Sequence, residues 1–427
     1  MVVILLNHMK IFQKVKSTED KILAIKIAIL GLLFLLSFFW APLIAIMGAV
    51  LLVFMLCEFD YKSIVYIFFF ASWYYKYFAA VFWCMCLLYI LICIFKTQKP
   101  INVFCLMLLP IILIIIFSYV GERLSWLFMS GLTTFFVLGH AREIGIKRIM
   151  NFFIFGVLIG CFIGLVRYTG WPSPMAESRG GGLLRFSSLT NNPNDLYPFI
   201  ICAICAIFVW HLKTKKLPIF YFPIIGVLTA FGFLTISRGY FLVLFALVFV
   251  YLVSCIFVFR QKSIIPISIC LCVLAVGSIC VLPFTIQNFD RMPQDETVDA
   301  NYEISETVKY DPGRLPIWKK NLSEWAQSPR TIFFGQGFAA PNIWQMNPHN
   351  FVVFILIKTG LVGLLLFLVF MCMLIYLVFK KTKFNVFPFL FLSCMMLDLI
   401  ETGFPTFTFF MFIYFFILSA VDNVSKS

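Results

Sequence analysis

Between residues 22 and 420 the chain is a succession of apolar runs, each about 17–20 residues long, separated by mostly short polar connections. A run of that length crosses about 30 Å of hydrocarbon as an α-helix. Within lipid every backbone N–H and C=O needs a partner inside the protein, which leaves helices or closed barrels. Barrel strands are shorter and alternate apolar with polar residues, and these runs do not alternate. Composition agrees, since 62% of the 427 residues are hydrophobic and 12% are charged. Soluble domains have roughly 45–50% and about 25%. The expected fold class is an all-α polytopic integral membrane protein with about twelve to fourteen transmembrane helices. Spans are expected near 22–39, 40–57, 64–77, 78–95, 101–119, 124–139, 150–168, 195–211, 217–236, 239–259, 264–283, 350–379, 386–402 and 405–420.

The formal charge of +14 suggests nucleic acid until the charges are placed. With the N-terminus inside, inner loops hold Lys62, then Lys96 and Lys99, then Arg142, Lys147 and Arg148. Lys213, Lys215 and Lys216 follow, then Arg260 and Lys262, then Lys380, Lys381 and Lys383. Short outer turns hold little beyond Lys76, Arg123 and Arg238. That alternation is the positive-inside pattern, so the excess faces the cytoplasm and no nucleic-acid partner is expected. Lys10, Lys14, Lys16 and Lys21 read as a cytoplasmic anchor, and no cleavable signal-peptide pattern precedes them. Both termini are expected in the cytoplasm.

The chain then divides into N-terminal helices (1–168), a first outer loop (169–194), central helices (195–283), a long outer loop (284–349) and C-terminal helices (350–427). The long loop carries six basic and eight acidic residues. A structureless loop of that length is unusual. "GRLPIWKKNLSEWAQSP" (313–329) has apolar residues at helical spacing and predicts an amphipathic helix on the outer face. The fourteen cysteines lie in apolar runs or at their ends, as Cys84, Cys86, Cys202, Cys205, Cys270 and Cys272 do. That argues against a disulfide framework and a zinc site, and no metal or other cofactor is expected.

Four features gather on the outer side. "GGGLLRFSSLTNNPND" (180–195) joins flexible glycines to Arg185, with Asn194 in a strong turn signal. "TISRGYF" (235–241) sets Arg238 at the tip of a tight helical hairpin, and "YDPGRLPIW" (310–318) sets Arg314 after a turn. "PHN" (348–350) puts His349 and Asn350 at the lip of an apolar run. Each has a plainer reading: boundary arginines snorkel or pair with headgroups, and Asn350 can simply cap a helix. Together they suit an anionic lipid headgroup. Guanidinium groups match phosphate oxygens bidentately and stabilise a diphosphate leaving group as its bond to a sugar breaks. A neutral histidine beside them can take the proton from an attacking hydroxyl. Such a reaction would be glycosyl transfer from a lipid diphosphate sugar, and the absence of an acidic DxD on the outer side would suit a metal-independent mechanism.

In this order, "RFSSLTNNPND", "SRG", "GRLPIW" and "HN" before "GLVGLLLF", the sequence resembles the O-antigen polymerase and O-antigen ligase superfamily of bacterial envelope glycosyltransferases. The resemblance covers roughly 175–380; the earlier helices match only as hydrophobic spans. It implies a GT-C-like membrane fold and periplasmic glycan transfer from undecaprenyl diphosphate. Carried over, Arg238 and Arg314 would bind the diphosphate and His349 would activate the acceptor hydroxyl, while Arg185, Asn194 and Asn350 shape the substrate site. One departure is Lys358, about 13.5 Å deeper than His349 along a straight helix. A lysine there is costly unless paired or facing a cavity. It would neutralise phosphate, or pair with Asp398 or Glu401 of a later span.

Polymerase is the favoured reading, extending a lipid-linked repeat unit within the bilayer, with a chain-length regulator as a candidate partner. A ligase, transferring glycan to lipid A–core, is the alternative. Behind these stand a protein O-oligosaccharyltransferase and a lipid-linked glycan transporter, the latter disfavoured because deep ionisable residues are few.

Overall fold

The computed structural model describes residues 21–36, 146–168, 177–178, 184–186, 188, 193–214, 216–235, 237–258, 315–337 and 350–382, with isolated positions between 43 and 70 and between 268 and 273. Helix α1 covers 21–36. After it come α2 (Ile146–Tyr168), a short ladder of β1 (Glu177–Ser178) with β2 (Leu184–Arg185), α3 (Pro193–Thr214), α4 (Tyr221–Leu234) and α5 (Arg238–Val253). A single π-helical turn, Ser254–Val258, extends α5. Then follow α6 (Leu315–Trp325), α7 (Pro329–Phe334) and α8 (Phe351–Thr382).

These elements match the expected spans at 150–168, 195–211, 217–236, 239–259 and 350–379, with the usual shift of a few residues at each end. Among the described residues, Arg148–Val166, Gly239–Ile256 and Val352–Met373 are long and apolar enough to cross a membrane, and Leu196–Leu212 and Tyr221–Leu234 are shorter apolar helices. The expected spans at 78–95, 101–119, 124–139, 386–402 and 405–420 lie outside the described residues. The chain is a helical membrane protein. Its one described departure from all-α is the two-residue antiparallel ladder pairing Glu177 with Arg185 and Ser178 with Leu184 in the first loop.

Helix α3 is the centre of the first group. It packs against α2, α4 and α5, and residues Leu196 to Val209 are buried without a break. A helix apolar all round belongs inside a bundle, whereas the neighbours expose one side, as Phe155 and Phe162 do on α2 and Phe245 and Phe249 on α5. The α4–α5 connection is three residues long. Gly232 makes it that tight, because a Cβ there would overlap the Tyr240 ring. Tyr240 is fully buried, donates to the Thr229 carbonyl at 3.3 Å and meets Phe233 edge-on.

The second group is α6, α7 and α8. The amphipathic helix expected over 313–329 is present within that stretch, and a second, shorter helix begins at its last residue. The first, α6, sets Trp318, Leu322 and Trp325 at i, i+4 and i+7 against Val353 and Ile357 of α8, while Lys319, Lys320 and Ser323 stay exposed. It ends before Ser328 because Ser328 and Thr331 form a reciprocal capping box, with Pro329 in the first turn of α7. The Trp325 indole donates to the Ile332 carbonyl at 3.2 Å and ties the two helices together. Helix α8 runs 32 residues, about 48 Å, but is two helices joined at Gly360, whose φ of 69° and ψ of −168° are not helical. The single uninterrupted span expected at 350–379 is therefore broken nine residues in.

Candidate functional site

Helices α3, α4 and α5 follow one another through short connections and pack side by side, so they alternate in direction. The start of α3, the end of α4 and the start of α5 thus share one end of the bundle. Asn194 is the second residue of α3 and Arg238 the first of α5. Just below them, Tyr197 and Tyr240 meet ring to ring at 6.4 Å. The first loop is stitched to the same end. Phe186 is buried, its amide donates to the Leu234 carbonyl at 3.0 Å and its ring stacks on Phe231 at 5.3 Å. Two residues on, the Ser188 hydroxyl donates to the Gly160 carbonyl of α2 at 2.8 Å. Arg185 precedes Phe186, so its backbone is held beside the turn that begins α5. Three of the expected residues, Arg185, Asn194 and Arg238, therefore stand at one end of one bundle.

The remaining expected residues belong to the second group. Asn350 caps α8: its Oδ1 accepts from the amides of Val352 at 3.0 Å and Val353 at 3.1 Å, and its carbonyl accepts from Phe354. This is the plain role its residue type allowed, satisfying amides that the first helical turn leaves without partners. His349 and Arg314 lie outside the described residues, as do Asp398 and Glu401. His349 is covalently next to that cap, and Arg314 immediately precedes α6.

Lys358 is 3% exposed, and its Nζ donates to the Gly337 carbonyl at 3.2 Å. One partner of this lysine is thus a backbone carbonyl of the long loop, and the acidic partners expected, Asp398 and Glu401, lie outside the described residues. The contact exists because the chain after α7 folds back onto α8. Gln336 donates its amide to the Ile357 carbonyl at 2.7 Å, and Gly337 to the Lys358 carbonyl at 3.0 Å. Gly335 and Gly337 have φ of 72° and 81°, and a Cβ on Gly335 would overlap the Lys358 backbone. Sequence reasoning missed this seat, and the "GQG" at 335–337 opposite "KTG" at 358–360 was the available signal. Among the described residues no extensive helix–helix contact joins this group to the α3–α5 bundle.

His211 could compete with His349 as the useful histidine. It lies near the far end of α3 from Asn194, about 25 Å along the helix. There it is buried and shares a 2.6 Å hydrogen bond with the Tyr251 hydroxyl, whose ring stacks on Phe208. It plays no part at the arginine end. Among the described residues no group of His, Cys, Asp and Glu is arranged to hold a metal.

Buried apolar helices, an arginine-bearing end and a folded loop seated on a long broken helix define the class: a helical membrane protein. Residues 224–368, about a third of the chain, match the family model described as O-antigen ligase, consistent with the O-antigen polymerase and ligase superfamily. The match runs from α4 into α8 and includes Arg238, Arg314, His349, Asn350 and Lys358, whereas Arg185 and Asn194 precede it. It supports glycosyltransferase-like polymerase or ligase activity in the assembly of O-antigen or a related surface glycan. No curated protein and no solved structure matches the chain.

Proposed function

We propose that the chain is a glycosyltransferase of the bacterial inner membrane that polymerises undecaprenyl-diphosphate-linked repeat units on the periplasmic side. The observation that carries this reading is the family match over 224–368, which takes in both arginine positions and the histidine that the chemistry requires. His349 takes the proton of an acceptor hydroxyl as its oxygen attacks the anomeric carbon of the donor sugar. The new C–O bond forms while the bond to the diphosphate breaks, and undecaprenyl diphosphate leaves. Arg238 and Arg314 hold the charge that develops on it. Arg185 and Asn194 shape the donor side, Asn350 fixes the helix that follows the base, and no metal takes part. The bilayer presents the donor, and a chain-length regulator is a candidate partner.

Ligation to lipid A–core is the second reading, favoured by the description attached to the matched family. Donor and bond chemistry are shared, so the acceptor separates the two. Deleting the gene in an O-antigen host and separating its lipopolysaccharide by size tests both. Single repeat units on lipid A–core mark a polymerase. Bare core, with long polymer stranded on undecaprenyl diphosphate, marks a ligase. Unchanged lipopolysaccharide and lipid-linked glycans would overturn both.

Arg314→Lys tests the diphosphate role within either reading. The variant keeps the charge and loses the planar fork, so donor turnover by purified enzyme is expected to fall about 10- to 100-fold. Turnover equal to wild type would remove Arg314 from bidentate phosphate binding.

A further inference from the structure

We infer that Lys358 is a positioning residue: with Gly360 it forms a seat on α8 that clamps the returning outer loop at Gly335–Gly337, so the stretch leading to Asn350 starts and finishes on one helix. This rests on the glycosyltransferase reading only where it concerns His349.

The break at Gly360 ends the first nine residues of α8 as a separate helical arm. The last carbonyls of any helix lack intrahelical partners and must be satisfied elsewhere. Here the Ile357 and Lys358 carbonyls accept from the amides of Gln336 and Gly337, so the arm is capped by a segment some twenty residues earlier in the chain. Lys358 closes the same contact from the other direction, its Nζ donating to the Gly337 carbonyl. One residue of the arm thus both accepts from Gly337 and donates to it. A cation in the last turn of a helix also suits the negative end of the helix dipole.

The seat admits little but glycine. A Cβ at 360 would overlap the Phe333 carbonyl, and one at 335 would overlap the Lys358 backbone. The amphipathic face of α6 covers Val353 and Ile357 on the same arm and fixes the clamp laterally. The consequence is geometric. Gly337 is fixed at the level of Lys358, and Asn350 at the top of the arm, eight residues or about 12 Å away. The twelve residues between them, ending in His349, have both ends tied to the same rigid element. His349 is covalently joined to the Asn350 cap at the top of that arm, and proximity catalysis demands a base held in place.

Hydrogen exchange read by mass spectrometry on the full-length protein in nanodiscs tests the clamp without any need for activity. Lys358→Met keeps the length and apolar stem and loses the donor. The expected result is at least tenfold faster exchange in peptides containing the 336 and 337 amides, with Leu315–Trp325 unchanged as the control for folding. Lys358→Arg, which retains a donor, should restore part of the protection. In the transfer assay Lys358→Met should lower kcat with little change in donor KM, and distort the pH profile attributed to His349. Unchanged exchange at 336–337 would overturn the clamp. A rise in donor KM alone, with protection intact, would do so too, by making Lys358 a phosphate ligand. Should the gene deletion leave every glycan unchanged, the glycosyltransferase reading fails while the exchange result still decides the clamp.

Discussion

His349→Ala is expected to lower glycan transfer by about 100- to 10 000-fold, the range lost when a positioned general base is removed. Protein level and membrane insertion should be unchanged, because helix α8 is started by the Asn350 side chain and carbonyl and not by its neighbour. The measurement is turnover of a polyprenyl-diphosphate-linked repeat unit by purified variant and wild type at matched protein. Donor binding should persist, since the diphosphate is assigned to arginines. Full activity in the variant would sink the assignment of the base, and would move attention to Arg238 and Arg314 acting with substrate alone.

Gly360→Ala is expected to produce the largest loss of stability among the substitutions considered. The backbone at 360, with φ of 69° and ψ of −168°, lies in a region essentially restricted to glycine, and strain of this kind costs about 1–3 kcal/mol. A Cβ there also runs into the Phe333 carbonyl, a backbone group that cannot rotate away. The variant must straighten α8 or release α7, and either route withdraws the Gln336 and Gly337 amides from their carbonyls. Thermal unfolding in detergent should shift down by several degrees, with faster exchange at 335–337. Gly31→Ala, in helix α1, is the fitting control. Nothing lies within 4 Å of its new methyl, so its effect should be clearly smaller. Equal behaviour of the two variants would mean that the break is not fixed by the loop.

The bundle was legible because its physics is local. Runs such as "FIICAICAIFVW" within α3 leave no alternative to a buried helix, and "TISRG" marks the hairpin turn that begins α5. The stripe of Trp318, Leu322 and Trp325 announced α6 by spacing alone. The end of α6 was legible too, in "SPRT" at 328–331, but continuous helical spacing across 313–329 masked it. The break in α8 was harder. Hydropathy is unbroken from Phe351 onward, and glycine is common in transmembrane helices, so "KTGLVG" reads as ordinary span. What selects the break is a contact with residues 333–337, which no window on α8 contains. The Lys358 contact was hidden for a related reason. Residue types suggest charged partners for a buried lysine, whereas the Gly337 carbonyl to which it donates is a group that every residue carries and no sequence advertises. The tie from Phe186 to Leu234 is likewise a backbone bond.

The length of α8 has one more consequence. A straight apolar helix of 32 residues exceeds the hydrocarbon by about 18 Å and could slide along the membrane normal at little cost. The break removes that freedom. From Leu361 to Thr382 the helix measures about 33 Å, close to one hydrocarbon thickness, and its last turn carries Lys380 and Lys381, residues that favour the polar interface. Above Gly360 the arm is covered by α6 with its exposed Lys319 and Lys320, which hydrocarbon would not accept. Under the proposed function, helix α8 would work as a depth gauge, with basic residues as the stop at one surface and the docked loop as the stop at the other. A polyprenyl chain would anchor the diphosphate of the proposed donor at a nearly constant depth, and an enzyme gauged in this way would meet that bond at the same level on every turnover.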